Sequence, residues 1–177
     1  MKETPFVERR REFRLPYNEK IIFSDGRRTG TAYGANISQG GIFIMTLDPL
    51  PIDAFAMLAF CLSTQSAVFC VKAKVVHIVF DRHRADLECG MGLEFSDITQ
   101  AQQSLLNLYL LNQQSNYLEL KKMLSVPKPN LSEISKLLRK FPDLESDLLA
   151  LRYRVNRICA VFEPVPSLTE EEEKLTA

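Results

Sequence analysis

The sequence predicts a mainly β fold with added helix: a six-stranded antiparallel barrel, then a C-terminal helix and a further helical extension. Three observations carry that prediction. Between Glu19 and Phe95, short runs rich in isoleucine, valine and phenylalanine are separated by turn residues, and the spacing leaves little room for helix. A set of antiparallel strands that size closes on itself to avoid exposed edges. Beyond Asp97 the apolar residues recur at helical spacing instead. At 177 residues, with 46% apolar and 25% charged, the chain can hold one core of ordinary size and an appended piece.

Residues 1–16 carry Pro5 and Pro16 and little hydrophobic periodicity. They read as a flexible N-terminal arm entering the fold at Tyr17, and such an arm can fold over a ligand at an ordering cost. The barrel and its helix then occupy residues 17–123. Lys20–Ser24 is a short strand ended by the turn signal Asp25-Gly26. Thr29–Ile37 and Gly41–Leu47 follow, separated by a polar, glycine-containing cluster. Asp48-Pro49-Leu50-Pro51 cannot continue a central strand, because proline lacks the donor. Ala54–Ser63 and Ala67–Phe80 are long and apolar, with Thr64-Gln65-Ser66 between them. In the second, Val71, Ala73 and Val75 alternate with Lys72 and Lys74, the pattern of a half-buried strand. Asp81-Arg82-His83-Arg84 reads as a hairpin turn and Leu87–Phe95 as the last strand.

Asp97-Ile98-Thr99-Gln100 has the form of a capping box, with Asp97 as the cap of a helix running to about Met123. Leu105, Leu106, Leu108, Tyr109 and Leu110 give that helix an apolar band wider than one packed face requires, a pointer to a second partner. Pro127 and Pro129 mark a linker opening the extension at residues 124–163. Asn130-Leu131-Ser132-Glu133 caps a short helix to about Lys140; Pro142 breaks it, and a third helix runs from Asp143 to about Phe162. Along it Leu144, Leu148, Leu151, Val155, Ile158 and Phe162 form a coiled-coil seam. Two arrangements satisfy the seam: packing on the first long helix within one subunit, or a homo-oligomer through the C-terminal helices. Residues 164–177, acidic at Glu170–Glu173, are expected to be a disordered tail.

The residues that carry chemistry lie near the start. Glu8-Arg9-Arg10-Arg11-Glu12-Phe13-Arg14 sets four guanidinium groups close together, and Asn36-Ile37-Ser38-Gln39-Gly40-Gly41 follows about twenty residues later. Arginine offers a planar fork of donors to phosphate oxygens or to the O6/N7 edge of guanine. Small polar residues let a backbone approach a ligand and hydrogen-bond to it. Together they suggest a phosphorylated, purine-bearing ligand gripped between a basic segment and a strand surface.

Arg10-x-x-x-Arg14 followed by Asn36-x-Ser38-x-x-Gly41 resembles the bipartite signature of PilZ domains, bacterial receptors for the second messenger cyclic di-GMP. Gly90–Phe95 is similar to the family's last strand and Lys74-Val75-Val76 to its penultimate one, so the resemblance covers about residues 8–115. It implies the barrel fold, and Arg10 and Arg14 as the grip on the phosphates and guanine edges. It implies that Asn36, Ser38 and Gly41 receive a guanine and the sugar-phosphate ring, with asparagine standing where many members carry aspartate. Arg9, directly before the first motif arginine, implies an intercalated ligand dimer and two ligands per chain. Arg11, Arg27 and Arg28 read as solvated surface.

Other classes fit less well. The net charge is zero, with 22 basic and 22 acidic residues, where a nucleic-acid binder would be basic. No tryptophan is present to stack single-stranded bases. His77 and His83 lack metal-ligand spacing, Glu88 and Glu94 carry no sign of a tuned acid–base pair, and no catalytic motif appears, so neither an enzyme nor a bound cofactor is expected. The first fourteen residues lack an apolar core, no run is long enough for a membrane span, and Cys61, Cys70, Cys89 and Cys159 show no paired spacing. A reduced, cytoplasmic protein is the expectation, with Cys61, Cys70 and Cys89 as buried thiols. It would switch without chemistry and signal to an unidentified protein partner controlling motility, adhesion or biofilm formation. The alternative is a ligand-independent adaptor that docks its helices on pilus, flagellar or secretion machinery.

Overall fold

The computed structural model describes residues 13–62, 68–80, 89–141, 144 and 147–161. Their strands are β1 (Leu15–Pro16), β2 (Lys20–Ser24), β3 (Thr29–Ile37), β4 (Gly41–Met45), β5 (Phe55–Cys61), β6 (Val68–Val79) and β7 (Gly90–Ser96). Their helices are α1 (Gln100–Ser125), α2 (Leu131–Leu138) and α3 (Leu148–Cys159). The chain divides into two compact units, Met1–Asn112 and Gln113–Ala177, the division falling inside α1 and not at its end near 123.

In the first unit, pairing runs β3-β2-β5-β6-β7-β4 and returns to β3, every pair antiparallel. That closes the six-stranded barrel and removes its edges. Val71, Ala73 and Val75 point inward between outward Lys72 and Lys74, joined in the core by Ile21, Ile42, Ile44, Leu58, Met91 and Leu93. The seventh strand, β1, lies outside the ring. It pairs with β3 at Leu15↔Ile37 and Pro16↔Asn36, on the edge opposite β4, continuing the line of β2. The expected arm therefore ends before Leu15. Leu15 is fully buried and Tyr17 is 2% exposed, and burial of each side chain contributes about 1.5–3 kcal/mol, enough to draw the chain into the sheet. The earlier part of the arm lies outside the described residues.

Two bulges interrupt the ladder, at Ala35 in β3 and Val76 in β6. Each inserts one unpaired residue and so reverses which side chains face out. Ala32 faces the core, yet Asn36, at the same parity, turns outward while Ile37 is buried. In β6 the sequence of inward odd positions stops at Val75, and His77 faces out.

Helix α1 starts two residues later than expected. Thr99 Oγ1 accepts from the Gln102 N–H at 3.2 Å and Gln102 Oε1 accepts from the Thr99 N–H at 2.9 Å, a complete capping box. Asp97 cannot serve as the cap, because it sits at φ 53° and pairs with Lys72 Nζ at 3.3 Å. Leu106 and Leu110 are buried, whereas Leu105, Leu108 and Leu111 stay more than half exposed, the surplus width seen in the sequence. Tyr17 meets Phe60 edge-on at 5.7 Å and Tyr109 at 6.3 Å, joining the root of the arm to a barrel aromatic cluster and to α1.

The second unit is a small helical core. Asn130 Oδ1 caps α2 as expected, accepting from Ser132 and Glu133 N–H. The third helix is shorter than expected, opening at Asp147 and not Asp143, because Asp147 Oδ1 caps the Leu149 and Ala150 N–H groups. Its buried residues are Leu151, Val155 and Cys159, at steps of four, so among the described residues of the expected seam only Leu151 and Val155 are buried: Leu148 is exposed, and Cys159 and not Ile158 enters the core. They share that core with Tyr117, Leu120 and Leu124 of α1, and Tyr117 stacks obliquely on Phe141 at 4.4 Å. Leu151 and Val155 are thus covered within a single chain. Cys159 is the fully buried thiol; Cys61 and Cys89 are half-buried, and Cys70 faces out because Phe69 and Val71 take the inward positions. Arg28 is tied to Asp48 and to the Pro49 carbonyl and is not simply solvated. The expected turns at 64–66 and 81–84 and the acidic tail lie outside the described residues.

Candidate ligand-binding site

The β3–β4 connection explains the spacing of the second motif half. Ser38 N–H donates to the Gly41 carbonyl at 2.8 Å and its hydroxyl reaches the same oxygen at 3.5 Å, so Ser38 and Gly41 close one tight turn. Ser38 is 6% exposed. Gly41 is required by close approach: a Cβ there would run into the Leu93 carbonyl of β7. The Phe95 N–H bonds the Gly40 carbonyl at 2.8 Å and holds the turn against β7.

The second arginine of the first motif half, Arg14, arrives through β1. Leu15 pairs with Ile37 in antiparallel register, so Arg14, one residue earlier, falls opposite Ser38. Residues more than twenty positions apart in sequence thereby meet. Arg14, Ser38 and Gly41 line one cavity of about 430 Å³, together with His77, Gly92 and Glu94. That is within the range of small-ligand clefts. Its floor is the outer surface of the barrel, where two cross-strand rows run side by side: Lys74–Glu94–Gly41 and His77–Gly92–Phe43–Asn36. Gly41 and Gly92 keep that floor low, and Phe43, though outward, is 8% exposed beside the β7 glycines.

Of the expected site residues, Arg14, Ser38 and Gly41 are brought together. Asn36 is adjacent in its row but does not line the cavity; its Oδ1 is enclosed and has no hydrogen-bond partner among the described residues. Arg9 and Arg10 lie outside the described residues. His77 and Glu94 line the site without having been singled out for it. His77 was masked by strict alternation, which places it in the core; the Val76 bulge turns it out. Glu94 could have been found from its parity with Gly92 beside the inward Met91 and Leu93.

The charges around the floor are arranged unevenly. Lys74 Nζ pairs with Asp53 Oδ1 at 2.6 Å, and that hydrogen bond, with the charge of Asp53 and less strongly that of Glu94, raises the Lys74 pKa. On the far side of β1, Tyr17 Oη donates to the Cys61 carbonyl at 2.6 Å, and burial, aided by Tyr109 and Glu19, pushes its phenol far above the ordinary range. Among the described residues no cluster of three or more histidine, cysteine or carboxylate groups could hold a metal ion, and no helix is long and apolar enough to cross a membrane.

Known structures share the fold. The chain is similar to the inhibitor of motility MotI/DgrA of Bacillus subtilis, at 24% identity and TM-score 0.52, covering 62% of this chain and 53% of that one. It is similar to YcgR of Escherichia coli in complex with c-di-GMP, at 17% identity and TM-score 0.52, covering 64% and 49%. It is also similar to MrkH of K. pneumonia in complex with c-di-GMP, at 18% identity and TM-score 0.51, covering 60% and 53%. The chain thus spans about half the length of these structures. No curated protein sequence matches it significantly. The PilZ domain family matches residues 8–112, more than half of the chain and the whole run from the arginine cluster to the end of the first unit. With the barrel closed and that match running across both motif halves, the chain belongs to the PilZ domain family.

Proposed function

We propose that this protein is a cytoplasmic receptor for cyclic di-GMP and performs no chemistry on it. The observation that carries the reading is the meeting of Arg14 with Ser38 and Gly41 around one cavity through the β1–β3 register. An arginine in the lining of a low, glycine-containing cleft suits a planar base joined to phosphates. The enclosed, unpartnered Asn36 Oδ1 supplies an acceptor for a guanine N–H once local side chains move aside. Solved relatives in complex with c-di-GMP support the ligand's identity.

In this reading Arg10 joins Arg14 on the phosphates and guanine edges, and Asn36, Ser38 and Gly41 receive a guanine and the sugar-phosphate ring. Arg9 stacks on a second guanine and admits an intercalated dimer. Ligand orders the segment ahead of Leu15, and a protein partner in motility, adhesion or biofilm formation reads the altered surface. Calorimetric titration with cyclic di-GMP tests this. The unaltered protein binds saturably with two ligands per chain. The Arg10→Ala, Arg14→Ala double variant loses affinity by at least ~tenfold, since each charge-assisted hydrogen bond is worth about 1.5–3 kcal/mol. The Arg9→Ala variant binds one ligand. Absence of binding by the unaltered protein would instead favour a ligand-independent adaptor docking through its helices.

A further inference from the structure

We infer that Glu94 selects the base of the ligand, accepting hydrogen bonds from the N1–H and N2–H groups of a guanine; this rests on the receptor reading above. Glu94 stands outward on β7, exposed, and lines the same cavity as Arg14, Ser38 and Gly41. It is the one carboxylate among the described residues of that lining. In a site that binds only phosphate such a group is a cost, because it repels the ligand's charge.

Among the described residues that cost is offset only weakly, by the charge of Lys74. The residue opposite Glu94 on β6 is Lys74, the natural cross-strand partner, but its ammonium is held by Asp53 at 2.6 Å. On the other side the opposite residue is Gly41, which has no side chain. The Glu94 side chain makes no hydrogen bond or ion pair among the described residues; the neighbouring lysines bridge Asp97 and Asp53 instead. A carboxylate with no hydrogen-bond partner among the described residues, in a cavity that Arg14 also lines, is matched by a ligand that carries donors as well as phosphates.

Guanine carries such donors. Its N1–H and N2–H lie side by side on one edge and match the two oxygens of a carboxylate, whereas adenine presents an acceptor at N1. A ligand with two guanines gives one edge to each acceptor, and Asn36, which does not line this cavity, leaves this edge to Glu94. A site built to hydrogen-bond a ligand N–H rejects an analogue that lacks it, because its own polar group is left unpaired.

The test compares cyclic di-GMP with cyclic di-inosine monophosphate, which differs only by loss of the N2 amino groups. Calorimetric titration of the unaltered protein gives a clear preference for cyclic di-GMP. In Glu94→Ala that preference narrows by ~tenfold or more, as expected for one charge-assisted hydrogen bond, and Glu94→Gln is intermediate. Glu94 is exposed, and a thermal melt checks that the variants fold like the parent. An unchanged preference in Glu94→Ala, or tighter binding of cyclic di-GMP by it, overturns this inference while the receptor reading stands. Failure of the unaltered protein to bind cyclic di-GMP overturns both.

Discussion

Tyr17 joins three parts of the molecule at the scale of one side chain. Its ring lies over Gly34, faces Phe60 and Tyr109, and its hydroxyl is spent on the Cys61 carbonyl. Because burial raises the folded-state pKa above the ordinary 10.0, the phenol's contribution is fully present below pH 10. It is lost as pH rises further, when the unfolded chain ionises and the folded one does not. Chemical denaturation at successive pH values above 10 should give a stability falling by up to about 1.4 kcal/mol per pH unit from this group. Tyr17→Phe should flatten that limb, after losing about 1 kcal/mol at neutral pH with the hydrogen bond. An identical alkaline slope in the two proteins would contradict the assignment. Arg14, three residues away, was legible as a site residue in the sequence because its type and spacing both spoke. His77 was not, since one unpaired valine before it decides which way it points.

Among the elements, strands were easier to read than their interruptions. Lys20–Ser24 and Thr29–Ile37 emerge with their sequence-derived bounds, since both are short, alternating and punctuated by turn residues. The bulges at Ala35 and Val76 had no such punctuation, and they set the outward row on which the cavity rests. The α1 cap slipped for a related reason: Asp97 and Thr99 both suit a cap, each with a glutamine three residues on, and only the tertiary claim of Lys72 on Asp97 separates them. Thr99→Ala should therefore lower stability by about 1 kcal/mol in denaturant titration. Asp97→Asn should cost less, since asparagine also suits φ 53° and an exposed ion pair is worth about 0–1 kcal/mol.

For the whole molecule, fold class followed from strand count and closure, but the division into two units did not, because the boundary falls inside one uninterrupted helix. The second unit rests on few buried side chains. Leu151→Ala should destabilise it by roughly 2–5 kcal/mol, seen as an earlier transition in chemical denaturation, while affinity for cyclic di-GMP stays unchanged. Coupled loss of both would mean that the units do not fold independently. The two-residue strand β1 has a further consequence. With Leu15 locked in the sheet, Arg10 can stray from Arg14 by no more than four residues of chain, about 14 Å. The arm's arginines are thus present at an effective concentration of at least about millimolar whatever the protein's abundance. In the receptor reading proposed above, their closure on the ligand is a first-order event, and the same arm supplied as a separate peptide would need that concentration to replace it.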